Sequence, residues 1–373
     1  MSMSRRKALG IIGGGTILAA TASVGTFLST RTPDIAIAPW AKAGNYTDIR
    51  RRALSYAILA PNPHNRQPWL VDLSEENTVV LYRDLERDLP ATDPFSRQLT
   101  IGLGCFLELM TIAAAQDGYA VALDLFPEGE QGPVARAVFS NRDSQANKVK
   151  ADPLFDQILH RTSCKEPFEN RTVPIDKIAR LTPLAKTYTD PIEVATIRKL
   201  TLDAWMSEAG TPHALKESVD LMRFGKSEIN ANPDGIDLGG PFLESLMLVG
   251  VLSKEGQLDP TSSGFKEGIK MYTDMLTATP AYAVITTNGN SRIDQIEAGR
   301  RWIRLNLTTT ELGLALHPVS QALQEFPEMA EHYAKAHQLL SKPGETVQML
   351  GRLGFGPTVG SSPRWPLEKK IIA

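Results

Sequence analysis

The densest run of hydrogen-bonding side chains is the segment Ala60-Pro61-Asn62-Pro63-His64-Asn65-Arg66-Gln67-Pro68-Trp69. Its three prolines restrict φ and hold the backbone extended. Asn62, His64, Asn65 and Gln67 present donors and acceptors at close spacing. A stiff loop of this kind suits a planar heterocycle rich in nitrogen and oxygen. The plainer reading is a proline-rich turn whose Trp69 caps the core. A second cluster, Arg161-Thr162-Ser163-Cys164-Lys165, brings two cations and a hydroxyl together. Such groups can pair with a phosphate dianion, although taken alone the cluster is more often a solvated charged turn. Arg352, within Gly351–Gly356, and Arg364, within Pro363-Arg364-Trp365-Pro366-Leu367, add cations near the C-terminus. Leu316-His317-Pro318-Val319-Ser320-Gln321 reads as a turn carrying Ser320.

No spacing nominates a catalytic acid, base or nucleophile, and His64 and Ser320 are only the nearest candidates by type. Cys105 and Cys164 form no CxxC, and the six histidines are scattered, so no metal is expected. His332 and His337 fall on different sides of a helix. Whether the two cysteines pair is left open. No G-x-G-x-x-G follows a strand, which argues against a separate dinucleotide-binding domain. A net charge of -2 gives no reason to expect nucleic acid as a partner.

The elements that must position these groups are mixed. A chain of 373 residues exceeds the usual single core, so two domains or a doubled unit are expected. The pattern predicts a helix over 46–59, strands near 69–73 and 78–84, an apolar helix over 97–118, and strands near 120–126 and 134–140. A polar linker follows over 141–150. The second half repeats the rhythm: a helix before Thr162, a strand near 192–196, helices across 197–209 and 213–224, a strand over 281–287 and a long helix over 291–313. Both long helices end in glycine, Gly118 and Gly313, which suggests an internal duplication. Residues 230–240 read as a long loop and candidate lid. Strands and helices that do not alternate strictly favour an α+β fold.

At the N-terminus, Arg5-Arg6-Lys7 precedes an uncharged stretch running from Ala8 to Thr30. This describes a twin-arginine export signal over residues 1–43, read by the Tat translocase, with Ala41-Lys42-Ala43 as the cleavage motif. The other reading is an uncleaved membrane anchor. Either way the protein is expected to be exported, in the periplasm or anchored facing it.

The segment 60–69 resembles the A-P-S-x-x-N-x-Q-P-W loop of FMN-dependent nitroreductases, with Asn62 in place of the serine. Arg161-x-Ser163-x-Lys165 is similar to the family's R-x-S-x-R motif for the flavin phosphate and ribityl chain, with a lysine replacing the second arginine. The segments around Arg352 and Arg364 resemble the family's closing R-x-G-Y-x and P-R-x-P-L stretches. Residues 316–321 stand in the place of its V-P-I-E-G turn at flavin N5 and O4, with Ser320 where a glutamate is common. The resemblance implies FMN as cofactor, with Pro61, Asn62, His64, Asn65 and Gln67 facing the flavin. Arg161, Ser163, Lys165, Arg352 and Arg364 would serve the phosphate side and Ser320 the N5 edge. The loop occurs only in the first half (44–150) and the phosphate elements only in the second (151–373). Two degenerate copies would then make one complete site as an intramolecular pseudo-dimer, similar to the Acg-like branch of the family.

That resemblance implies an oxidoreductase reducing a small acceptor, a nitro compound or a quinone. The alternative it implies is a protein that sequesters FMN under a lid with little turnover. In the periplasm a quinone or a protein is the expected electron donor.

Overall fold

The computed structural model describes residues 31–141 and 149–373. The expected signal up to Thr30 and most of the expected linker lie outside the described residues. The chain opens with α1 (Asp34–Lys42) and α2 (Ile49–Ala57). Asp48 caps α2 by accepting from the amides of Arg50 and Arg51, a standard way to satisfy orphan donors of a first turn. β1 (Trp69–Asp72) and β2 (Thr78–Arg83) follow, then α3 (Arg97–Gln116), β3 (Tyr119–Leu125) and β4 (Ala135–Asn141). These four strands form an antiparallel sheet in the order β1-β2-β4-β3.

After α4 (Ile175–Leu181) comes β5 (Lys186–Tyr188). A long insertion separates it from the next strand of its sheet. The insertion holds α5 (Pro191–Gly210), α6 (Pro212–Asp220), β6 (Met222–Phe224), α7 (Gly225–Ala231), β7 (Ile236–Leu238), α8 (Pro241–Leu248), α9 (Lys254–Leu258) and α10 (Ser263–Thr277). Then come β8 (Ala281–Thr287), α11 (Arg292–Glu311), β9 (Ala315–Pro318), α12 (Ala330–Leu340) and β10 (Thr346–Gly354). The second antiparallel sheet has the order β5-β8-β10-β9.

The two sheets share one topology. β1, β2, β3 and β4 correspond to β5, β8, β9 and β10, and α3 and α11 occupy the same place in each half. The fold is therefore α+β with two related halves. α3 and α11 pack directly on each other through Gly104 and Gly299. One continuous apolar core runs from Trp69, Phe106 and Leu109 in the first half to Trp302, Ile303 and Leu353 in the second. The C-terminal arm then crosses back: Val71 receives Ile372 and donates to Lys370, lengthening the first sheet beyond β1. A chain cut at residue 150 would thus leave one sheet without its edge.

Several expected elements differ. Residues 192–196 are helical because Pro191 suits the first helical position and Asp190 accepts from the amides of Ile192 and Glu193. Those start signals outweigh the β-branched run. The helix expected over 213–224 stops at Asp220 and becomes β6. Before Thr162 only a 3-10 turn forms, Pro153–Gln157. The candidate lid is not a bare loop: β7 lies within it and pairs in parallel with β6. Cys105 and Cys164 are free, buried thiols.

Ala41-Lys42-Ala43 falls at the end of α1, whose Ala36 and Trp40 are buried and whose Trp40 indole donates to the Ser362 carbonyl at 2.8 Å. Cleavage there would strip a packed helix from the fold.

Candidate functional site

The loop after α2 holds three non-glycine residues in the left-handed region: His64 at φ 46°, Asn65 at 51° and Gln67 at 52°. Such backbone costs free energy and persists only where the surroundings enforce it. Here three segments do so. Asn62 braces the loop internally, its Oδ1 accepting from the Gln67 amide at 2.7 Å. The C-terminal arm grips it through Arg364 to Asn65 Oδ1 (2.6 Å), Asn65 Nδ2 to the Pro363 carbonyl (3.0 Å) and the Trp365 amide to Gln67 Oε1 (2.8 Å). Lys370 Nζ donates to the Gln67 carbonyl at 2.8 Å, and burial pushes that ammonium down to about 8. The third segment is the one read as a lid, where the Pro233 carbonyl accepts from Gln67 Nε2 at 2.6 Å.

Gln67 is thus fully buried with its amide committed within the protein. Gln67 is thereby the knot of the loop. Asn62 and Asn65 are likewise engaged at their side-chain oxygens, while Pro61 and His64 remain half-buried.

The segment over the loop is itself clamped. Asp234 is buried and takes Arg66 at 3.4 Å, Arg223 at 2.9 Å and Arg87. The Gly235 amide donates to the Asn65 carbonyl at 3.3 Å, and Gly235, at φ +76°, has no room for a Cβ against the Leu221 carbonyl. Residues 233–235 are anchored to the loop by charge as well as by backbone.

Beside the loop, Arg161 and Arg364 converge from separate parts of the second half onto one acceptor of the first, the Leu59 carbonyl, at 3.0 and 3.1 Å. Arg161 also donates to Asn306 Oδ1 at 3.1 Å, and Arg364 to Ser362 Oγ at 2.9 Å and the Ala60 carbonyl at 3.1 Å. The Trp40 ring lies 5.9 and 5.8 Å from the two guanidinium carbons, within cation–π range. Both arginines are buried, and the Nε of each has no partner. Among the described residues no carboxylate forms an ion pair with either; Asp237 acts on Arg364 only through its field. Desolvation pushes Arg161 down to about 10 and, joined by repulsion from Arg161, Arg364 to about 9. Two buried cations without a counter-ion are costly, and an anion between them relieves the cost.

Ser163 is half-buried and lies two residues after Arg161 in sequence. Lys165 is exposed, and its charge acts on both His64 and His317.

Arg352 does not join the other two arginines. Its three nitrogens go to Thr279 Oγ1 (2.9 Å), His317 Nδ1 (3.3 Å) and the Glu166 carbonyl (3.0 Å), and Phe168 stacks 4.0 Å from it. Each of its nitrogens is engaged within the second half, so it braces the turn. Because a guanidinium can only donate, Nδ1 of His317 must accept and the ring proton sits on Nε2. Desolvation first, and then Arg352 and Lys165, hold His317 neutral by driving it well below its ordinary value. His64 is pushed down to about 4 by desolvation, Lys165 and Arg66. Ser320 caps a 3-10 turn, Gln321–Leu323, with its carbonyl, not its hydroxyl.

Sequence reasoning missed Trp40, Asn306 and Asp234, and it gave His317 no role within the turn it singled out. Asn306 had a faint signal, a polar side chain on an otherwise inward helical face. The others meet the site only through tertiary contact. Two surface hollows, of about 360 and 320 Å³, are lined by other residues and hold no comparable cation set.

The fold and site thus define an α+β chain of two like halves with paired buried cations at their junction. No family model matches the chain. It is 32% identical over 124 residues to the "Putative NAD(P)H nitroreductase acg" of Mycobacterium tuberculosis, over 32% of this chain and 37% of that protein. The match therefore spans little more than a third of that relative's length. A second M. tuberculosis protein described as a "Putative NAD(P)H nitroreductase" is 24% identical over 335 residues, taking in 87% of this chain and 89% of that one. Among solved structures, a nitroreductase-like protein from Anabaena variabilis superposes with a TM-score of 0.39 at 10% identity, over 75% of this chain and 69% of that chain. The FMN-dependent nitroreductase NfnB of Mycobacterium smegmatis, in complex with NADPH, gives 0.36 at 12%, over 58% and 96%. Superposition at that level supports no further inference. By the sequence matches, the chain is a distant homologue of these mycobacterial nitroreductase-like proteins.

Proposed function

We propose that the chain binds FMN at the junction of its halves and works as an oxidoreductase on a small acceptor, a nitro compound or a quinone. The observation that carries this reading is the Arg161–Arg364 pair: buried, without a carboxylate, each with an orphaned Nε. A phosphate dianion is the ligand such a pair fits. Ser163 would add a hydroxyl donor, and the strained loop 61–68 would support the ring. His317 would present its Nε2 proton from the turn opposite. When bound, FMN supplies the hydride and electron transfer; the chain binds, orients and shields it.

The test is FMN affinity by fluorescence titration. Arg161→Ala or Arg364→Ala each removes a charge-assisted contact worth about 1.5–3 kcal/mol, a roughly tenfold to hundredfold loss. Unchanged affinity in both variants would overturn the placement. The relatives' names favour NAD(P)H as donor, whereas export through the Tat translocase would favour a quinone or a protein. Anaerobic turnover with NADPH separates these.

One observation favours the second reading, a sequestering protein with little turnover. Asp234 and its three arginines clamp residues 233–235 onto the loop. Bound flavin that photoreduces yet is not reoxidised by menadione would establish that reading over the first.

A further inference from the structure

Away from the site, exposed apolar side chains concentrate in one place. α8 and the turn after it expose Phe242 (62%), Leu248 (77%), Val249 (65%) and Val251. Single exposed apolar residues are ordinary, but a run within one helix and its turn marks an interaction surface. Between Pro241 and Ser253 the sole charged residue is Glu244. It is turned inward, accepting from Arg31 at 2.9 Å and from the Lys226 amide at 3.1 Å. The exposed side of α8 therefore carries no charge.

Arg31 is also the first described residue, so its bond to Glu244 fixes where the preceding chain joins the fold. That chain includes the uncharged stretch from Ala8 to Thr30, close to the roughly 20 apolar residues that cross a hydrocarbon core. In sequence, this uncharged stretch ends at the residue before Arg31, and Arg31 is bound to α8, the helix that carries the charge-free apolar face. We propose that the face of α8 and its turn docks on a lipid bilayer, beside the entry of the N-terminal apolar segment. An amphipathic helix lies in the interface with its apolar side among the acyl chains and its polar side toward water; here the polar side is the one held by Arg31. Such docking orients the whole fold against the membrane. It is independent of the FMN reading.

The experiment uses the full chain with Leu248→Cys labelled by an NBD fluorophore, since Cys105 and Cys164 are buried. A second labelled chain, Phe242→Cys, repeats the measurement, and Ile175→Cys, at a residue 82% exposed on α4, is the control. Each is mixed with phosphatidylcholine–phosphatidylglycerol vesicles with and without a nitroxide-labelled lipid. Blue-shifted emission and loss of emission to the nitroxide at 248 and 242, but not at 175, is the expected result. Equal behaviour at all three positions overturns the proposal, as does a chain that does not associate with vesicles. A blue shift that the nitroxide leaves intact, and that vanishes on dilution, also overturns it and assigns the face to a second copy of the chain. Flavin absorbance read on the same samples reports FMN binding separately.

Discussion

Gly104 and Gly299 meet where α3 crosses α11. A Cβ on Gly104 would lie 2.2 Å from the Ile296 carbonyl oxygen, and one on Gly299 would lie 2.0 Å from that of Ile101. Each glycine follows, by the same offset, the isoleucine whose carbonyl faces the other. The contact is thus isologous, as at a two-fold interface, although it lies within one chain. It places the Arg161 half and the Leu59 half at the separation the cation pair needs.

Gly104→Ala is expected to destabilise the fold by about 1–3 kcal/mol, because the methyl group meets backbone that cannot move aside. Urea denaturation would show a lowered midpoint. Gly210→Ala, where a Cβ meets nothing within 4 Å, should leave the midpoint unchanged or raise it. Equal loss at both positions would contradict the packing role of the glycine pair.

Two desolvated histidines, the half-buried His64 and the buried His317, set an acid limit. His64 and His317 both have folded-state values below their ordinary range, His64 at about 4. The unfolded chain therefore binds more protons than the fold between about pH 6.5 and pH 4. Their stabilisation is complete above pH 6.5 and is lost as pH falls through that window. The slope approaches about 1.4 kcal/mol per pH unit for each group. Urea midpoints at pH 7, 6 and 5 should fall accordingly, and His317→Asn should flatten the decline.

The Asp234 clamp should be strongly stabilising where it stands. Asp234→Asn leaves Arg66, Arg87 and Arg223 facing one another without their shared carboxylate, at a cost of about 3–5 kcal/mol. The expected signature is rapid proteolysis within 230–240. A variant as protease-resistant as the parent would show that the backbone contacts at Pro233 and Gly235 hold the segment alone.

His317 is expected to carry its proton on Nε2 throughout the neutral range. Long-range proton–nitrogen spectra of histidine-labelled protein, assigned with His317→Asn, read the tautomer directly. Arg352→Met removes the donor facing Nδ1 and should give a mixture of tautomers. A mixture in the parent protein would mean the Arg352 contact does not govern the ring.

The amino-acid sequence determined the local elements and the chemical inventory. Alternating apolar strands, two long helices ending at Gly118 and Gly313, and the loop that gathers Asn62, His64 and Gln67 are all local patterns, and local patterns follow from backbone sterics and side-chain periodicity. The doubling was legible for the same reason, since each half repeats its own order of elements. Helix α5 was misjudged because its β-branched residues outvoted one aspartate and one proline. Tertiary structure alone decided which cations lie together. Arg352 and Arg364 look alike in sequence, yet Thr279 and His317 draw the first away while Leu59 and Asn65 draw in the second. Gln67 likewise became a brace because Trp365 and Pro233, distant in the chain, reach its amide first. Burial and hydrogen-bond partners are set by which segments the fold brings together, and no spacing along the chain encodes that.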